Sequence, residues 1–317
     1  MIPIHPQPCL PLAQYRFKFR TTDDIRLPGY SGSAWRGAFG HSLKKLVCVT
    51  REPQCESCLL YRHCRYPYFF ETPPDPAVGK LRKYNAVPHP FVLSPGSTLH
   101  GQLAADTEHM LDVTLFGHGN QHLPYIIHAL DKAAQQGIGK QRGALELLEV
   151  QQQVDDDWDV IYRPGGQLNS HQVESINLPD CPTQFKIRLL TPLRMKVHGR
   201  LVTPDAFTFK VLFSTLLRRI SLLTAFHSDT PLETDFAGLS RMAEAIPITS
   251  HELRWHEWTR YSSRQGSLMQ LGGLLGTAAF ESSTLAHFWP YIWLGQWTHA
   301  GKNTSMGLGK YQIIGVD

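Results

Sequence analysis

Three groups of residues in this 317-residue chain have types and spacings that could carry chemistry. The first is His41 with Lys44 and Lys45, three and four positions on, which a helix would place on one face. Histidine exchanges protons near neutral pH and ammonium groups attract phosphate, so this face suits work at a phosphodiester. A solvated surface face is the plainer reading of the same residues. The second group is Cys48, Cys55, Cys58 and Cys64, spaced C-x6-C-x2-C-x5-C. Four thiolates suit tetrahedral zinc, the central pair lets one tight turn supply two ligands, and His63 could replace one of them. Buried free thiols and an iron–sulfur cluster share that spacing. No vacant ligand position is implied, so a metal here is expected to be structural Zn2+ fastening the loop behind the helix. The third group is the stretch QWTHAGKNTSMGLGKYQIIGV, Gln296 to Val316, in which His299, Lys302 and Lys310 lie among glycines. Such a loop can bring its backbone close to phosphate.

An earlier segment, GIGKQRGALELLEV from Gly137 to Val150, resembles that loop. Positions 307, 309 and 310 lie 170 residues after 137, 139 and 140. The same offset relates QYRFKFRT, from Gln14, to QFKIRLLT, from Gln184, both with the period-2 alternation of a half-buried strand. The chain therefore reads as one unit built twice.

The elements that must hold these groups follow from patterning. Trp35, Phe39, Leu43 and Leu46 form an apolar stripe at helical spacing, which turns His41 outward, and Ser31 or Ser33 could cap the helix start. Phe91–Leu93 and Thr98–Leu103 read as a strand pair around Pro95-Gly96, and Tyr125–Gln135 as an amphipathic helix ended by Gly137. Thr203-Pro204-Asp205 reads as the start of a second long helix, and Pro290 as a break in a short one. Strand, helix, two strands, helix and strand make a βαββαβ unit. The expected fold is α+β: two tandem ferredoxin-like (RRM-like) domains at 1–152 and 184–317, with a small four-cysteine metal-binding insertion at 48–64. Residues 153–183 are expected to form a linker or hairpin extension. Trp255, Trp258, Arg260, Tyr261 and Arg264 mix guanidinium with rings, a composition for phosphate contact and base stacking or for an ordinary strand.

Lys plus Arg number 31 against 27 Asp plus Glu, a formal charge of +4 with 16 His uncounted, which permits an anionic partner without demanding one. No apolar run is long enough to span a bilayer, and the cysteines crowd together rather than framing disulfides, so a cytoplasmic protein with no membrane partner is expected.

The segments GYSGSAWRGAFG, C-x6-C-x2-C-x5-C followed by YPYFFE, RYSSRQ with LGGLLG, and THAGKNTSMGLGKYQI together resemble the CRISPR precursor-RNA processing endoribonucleases of the RAMP superfamily. That resemblance implies Gly-rich loops lying against RNA in or near a cleft between two ferredoxin-like domains. It implies metal-independent cleavage of the repeat RNA by attack of a ribose 2′-OH, leaving a 2′,3′-cyclic phosphate and a 5′-OH, with no cofactor for catalysis. His41 matches the family's catalytic histidine, with Tyr30 and Lys44 or Lys45 as its partners; His299 is the rival. The RNA contacts implied are Arg36, Gly137, Gly139, Lys140, Arg142, Arg260, Arg264, Gly301, Lys302, Gly307, Gly309 and Lys310. CRISPR repeat RNA and crRNA are the expected partners, with subunits of an effector complex beside them. The alternative is a non-cleaving RAMP subunit that binds crRNA in such a complex.

Overall fold

The computed structural model of the chain describes residues 7–73, 87–96, 101–139, 141–262 and 267–316. Two compact units emerge, one made of Leu10–Ser175 with Phe226–Ser228 and the other containing Ile176–Ala225 and Asp229–Asp317. Among the described residues no helix is long and apolar enough to cross a membrane.

In the first unit, β1 (Leu12–Thr21), β2 (Ile25–Leu27), α1 (Gly32–Val47), α2 (Arg65–Phe70), β3 (Phe91–Pro95), β4 (Gly101–Leu103), β5 (Glu108–Phe116), α3 (Leu123–Gln136), β6 (Leu145–Val154) and β7 (Asp157–Tyr162) follow in order. The five-stranded sheet runs β3-β5-β1-β6-β7, and β2 pairs with β4 apart from it. Without β7 this is the antiparallel ferredoxin-like order, with α1 and α3 as the two crossovers. The alternation of β1 explains its central place. Tyr15, Phe17 and Phe19 are buried against Trp35 and Phe39 of α1 and Ile126 and Leu130 of α3. Arg16, Lys18 and Arg20 point the other way, each held by carboxylates: Arg16 by Asp112 at 2.8 Å, Lys18 by Glu149 at 3.0 Å, Arg20 by Asp106 and Glu108.

The second unit repeats the plan. It contains β8 (Gln184–Leu193), β9 (Lys196–Val197), β10 (Arg200–Leu201), α4 (Phe209–His227), α5 (Phe236–Met242), β11 (Ile248–His256), β12 (Thr259–Ser262), β13 (Ser267–Gln270), β14 (Gly273–Glu281), α6 (Trp289–Thr298) and β15 (Tyr311–Val316). Its sheet order is β11-β14-β8-β15, the same arrangement about the first strand. Phe209, Phe213 and Leu216 of α4 are buried with Phe185 of β8, Phe280 of β14 and Tyr291 of α6. Phe213 and Phe288 meet edge to face at 4.8 Å.

Several local expectations change. Ser31 sits at the N-cap of α1, yet it makes no side-chain cap bond and its hydroxyl is buried without a partner. Leu46 leaves the stripe and is 41% exposed, because the core of α1 ends with Leu43. β3 pairs with β5 rather than with the strand at Gly101–Leu103, which joins β2 instead; Thr98 lies outside the described residues. Thr203-Pro204-Asp205 opens only a 3-10 turn, and α4 starts at Phe209, where the Thr208 hydroxyl accepts from the Val211 N–H. Pro290 opens α6 instead of breaking a helix, since a first-turn residue needs no N–H partner.

The 170-residue offset also fails at the closing strand. Phe19 of β1 pairs with Leu147, and its counterpart Leu189 pairs with Tyr311, so the second copy reaches its last strand after a different path.

His122, at the start of α3, lies edge-on to Tyr68 at 5.3 Å and is buried. Burial lowers its pKa to about 4, with Arg65 and His118 adding to the effect. The unfolded chain, titrating near 6.5, then binds more protons than the folded one between those values. Stability present above about pH 6.5 is lost as pH falls toward 4, by up to about 3 kcal/mol from this residue. His122→Phe keeps the ring packing and is expected to flatten the fall of the melting temperature over that window; an unchanged pH profile would refute the assignment.

Candidate nucleic-acid interface and active site

The Gly-rich loop is built onto the end of β8. His299 follows α6 with φ +57°, Asn303 adopts φ +64°, and Gly301, Gly307 and Gly309 take φ of +85°, +89° and +73°. The Ala300 N–H donates to Gly309 O at 3.0 Å, the Gly309 N–H to Pro192 O at 3.1 Å, and the Lys302 N–H to Arg194 O at 2.8 Å. Thr191 clasps the last turn of the loop: its hydroxyl donates to Gly307 O and accepts from the Lys310 N–H, both at 2.8 Å.

The glycines serve this backbone packing. A Cβ at Gly309 would stand 1.8 Å from Ala300 O, and one at Gly301 2.4 Å from Arg194 O. Lys302 is exposed and Lys310 half-buried, so charge is presented outward over a rigid loop.

Beneath the loop His299 is only 2% exposed, with Nδ1 facing Leu308 O at 3.3 Å. Burial first, then Lys310 and Arg219, holds its pKa well below the usual imidazole range, so it is neutral. The rival His299 is thus sealed under its own loop in this structure, in contrast to the exposed His41.

The corresponding loop of the first unit is a tight turn. Gly137 caps α3 with φ +89°, the Ile138 N–H donates to Gly143 O at 2.8 Å, and Arg142 is exposed with φ +50°. Lys140 and Arg264 lie outside the described residues, and Arg260 falls within β12.

α1 separates the first group of residues into two. His41 and Lys45 are exposed on its outward face. Lys44 turns instead toward the cysteine loop, lining one pocket with Cys55 and 5.3 Å from the ring centre of Tyr66. Tyr30 is half-buried just before the helix, and burial raises its phenol pKa, so it stays protonated. Arg36 is half-buried, with Nη2 3.0 Å from Nε2 of His89 and its guanidinium over Phe70.

Cys48, Cys55, Cys58 and Cys64 line one pocket with Lys44, Tyr61 and Tyr66, and all four are free thiols. The donors do not converge. Among the described residues no group of three or more Cys, His, Asp or Glu could hold a metal ion. Burial and Glu71 raise the Cys55 pKa despite Lys44, and Cys58 Sγ is engaged by Thr50 at 3.2 Å and the Leu60 N–H at 3.4 Å. The zinc expected from the spacing is thus not supported: metal ligation needs converging thiolates, and among the described residues these sulfurs do not form such a group.

Neither Thr191 nor Arg219 stands out in the sequence. Thr191 ends the repeated strand motif, which was a usable signal, while Arg219 lies in an apolar helix next to Arg218 and gives none.

Two βαββαβ units in tandem, the second closing on a Gly-rich loop, agree with the fold that the resemblance to RAMP-type proteins implies. Family models match both halves: the AF_1859_N N-terminal domain over residues 10–174, and CRISPR-associated endoribonuclease Cas6 over residues 187–311. The AF_1859_N model spans more than half of the chain, which belongs to that family, and the second half is similar to the Cas6 endoribonuclease model. It is 23% identical over 298 residues to an uncharacterized protein of Archaeoglobus fulgidus, across 90% of this chain and 92% of that one. In fold it is similar to a Cas6 product complex at 18% identity and TM-score 0.58, covering 96% of this chain and 99% of that one. Thermus thermophilus Cas6 follows at 16% and 0.54, with coverage of 96% and 99%. The partial Cas6-RT-Cas1--Cas2 complex matches at 14% and 0.60, over 98% of this chain but 47% of that longer one.

The loop geometry sets an expectation. Gly309→Ala introduces a Cβ against a carbonyl at positive φ and should destabilise the protein by well over about 1 kcal/mol in denaturant unfolding. Gly315→Ala, with φ +60° but open space around it, should cost about 1 kcal/mol or less. Equal losses at the two positions would show that backbone strain alone, without the close approach, accounts for Gly309.

Proposed function

We propose that this endoribonuclease cleaves CRISPR repeat RNA without a metal, using His41 as proton carrier. The observation that carries the reading is the exposure of His41 and Lys45 together on α1 while His299 is sealed beneath its loop. In this chemistry the ribose 2′-OH loses its proton and attacks the adjacent phosphorus, the bond to the 5′-oxygen breaks, and that oxygen takes up a proton. The products are a 2′,3′-cyclic phosphate and a 5′-OH. His41 exchanges the proton, and Lys45 stabilises charge on the phosphorane. Lys44 belongs to the cysteine pocket instead. Tyr30, as a protonated phenol, can donate a hydrogen bond to a phosphate oxygen. Lys302 and Lys310 of the second loop and Arg142 of the first supply phosphate contacts, with Arg36 as a further candidate.

Of the similar structures, one is a Cas6 product complex and another a Cas6-RT-Cas1--Cas2 complex. Repeat RNA in the cytoplasm is the partner proposed here, with other CRISPR proteins as further candidates.

Incubating purified protein with its repeat RNA in EDTA tests the reading. Cleavage should persist and yield a cyclic-phosphate end. His41→Ala should slow the single-turnover rate by about 100-fold or more while leaving RNA affinity within about threefold. Loss of wild-type cleavage in EDTA would sink the metal-independent mechanism, and full activity of His41→Ala would sink the residue assignment. The two lysines separate in the same assay: Lys45→Ala should lower the rate about tenfold or more, whereas Lys44→Ala should leave it near wild type. The reverse pattern would make Lys44 the catalytic cation.

A further inference from the structure

Arg219 of α4 is a buried cation that the proposed chemistry does not use. Only 9% of it is exposed. Its Nε donates to Thr298 O, the last carbonyl of α6, at 2.6 Å, while Nη2 is buried with no hydrogen-bond partner. The Thr298 hydroxyl beside it is likewise buried and unpartnered. Burial lowers the guanidinium pKa to about 9, and no carboxylate among the described residues acts on it. The groups that share its surroundings electrostatically are His299, neutral, and Lys310, which with Arg219 lowers the His299 pKa.

A buried charge without a counter-charge costs stability, and the C-terminal dipole of a ten-residue helix offsets only part of that cost. The missing negative charge can arrive from outside. The loop that Thr298 leads into carries Lys302, exposed, and Lys310, half-buried and close enough to His299 to lower its pKa, and its backbone bonds β8 through the Gly309 N–H and Pro192 O.

We infer that Arg219 is the inner half of a phosphodiester site whose outer half is Lys310 and the Gly-rich loop. It is a positioning residue: it touches no ligand, and its field draws one RNA phosphate onto the loop above it while its bond to Thr298 fixes where the loop begins. The inference rests on the RNA-cleaving reading above, but it concerns binding and not the chemical step. The bland alternative is a helix C-cap with no part in RNA affinity.

The test uses a short fluorescein-labelled oligouridylate for affinity and the cognate repeat RNA for cleavage. Wild-type binding and cleavage are read first, and failure there would overturn the functional reading itself. With those in hand, Arg219→Met should weaken oligouridylate binding about tenfold, equivalent to about 1.4 kcal/mol, with the cleavage rate at saturating RNA within about twofold of wild type. Its melting temperature should not fall, because the uncompensated charge has gone.

Arg219→Lys keeps a cation that burial can strip of its proton. Its affinity should drop by the same factor as pH rises, but at a lower pH than in wild type, because lysine starts from a lower pKa than arginine. Unchanged affinity in Arg219→Met, or losses in affinity, saturating rate and melting temperature that run in step, would overturn the proposal. So would an Arg219→Lys profile parallel to wild type, which decides the matter alone if the methionine variant does not fold.

Discussion

The arrangement of the second unit depends on one close approach, that of a glycine-rich backbone to the end of its own central strand. Gly309 and Gly301 meet carbonyls at distances no Cβ would tolerate, and Thr191 clasps the loop's last turn with a single hydroxyl. These contacts set a chain of consequences. They bury His299 and fix its tautomeric partner, place Lys302 and Lys310 outside, and leave the end of α6 over Arg219. Side chains that can face a polyanion are thus chosen by main-chain geometry.

α1 shows the same logic on a smaller scale. A helix offers several faces, and three residues with basic or titratable side chains within five positions were divided between two of them. Lys44 has an attractive partner in the Cys55 and Tyr66 side, and that capture leaves His41 with Lys45. Sequence spacing cannot make this division, since both lysines lie within one turn of the histidine. It takes the position of the cysteine loop to make it.

Much of the fold was legible because alternation and internal repetition are long-range signals. The buried set Tyr15, Phe17 and Phe19, the helix ending at Gly137 and the doubled βαββαβ plan all follow from patterns spanning ten residues or more. What misled was local. Thr203-Pro204 looks like a helix start in any context, yet α4 waits for Thr208; Pro95-Gly96 suggests a hairpin, yet β3 finds its partner in β5. The cysteine spacing gathered four sulfurs into one pocket but could not show that they would fail to converge as a metal-binding group. For the site, the loop lysines and His41 were readable by residue type, while the burial of His299 and the isolation of Arg219 are properties of packing alone.

The outward row of β1 adds a point about charge. Arg16, Lys18 and Arg20 are as basic as anything in the loops, but Asp112, Glu149, Asp106 and Glu108 occupy them. A strand's worth of cations is thereby silenced before any polyanion arrives. A formal excess of four positive charges over 317 residues says little about where such a ligand will settle. What attracts it is the cations that folding has left without a carboxylate beside them.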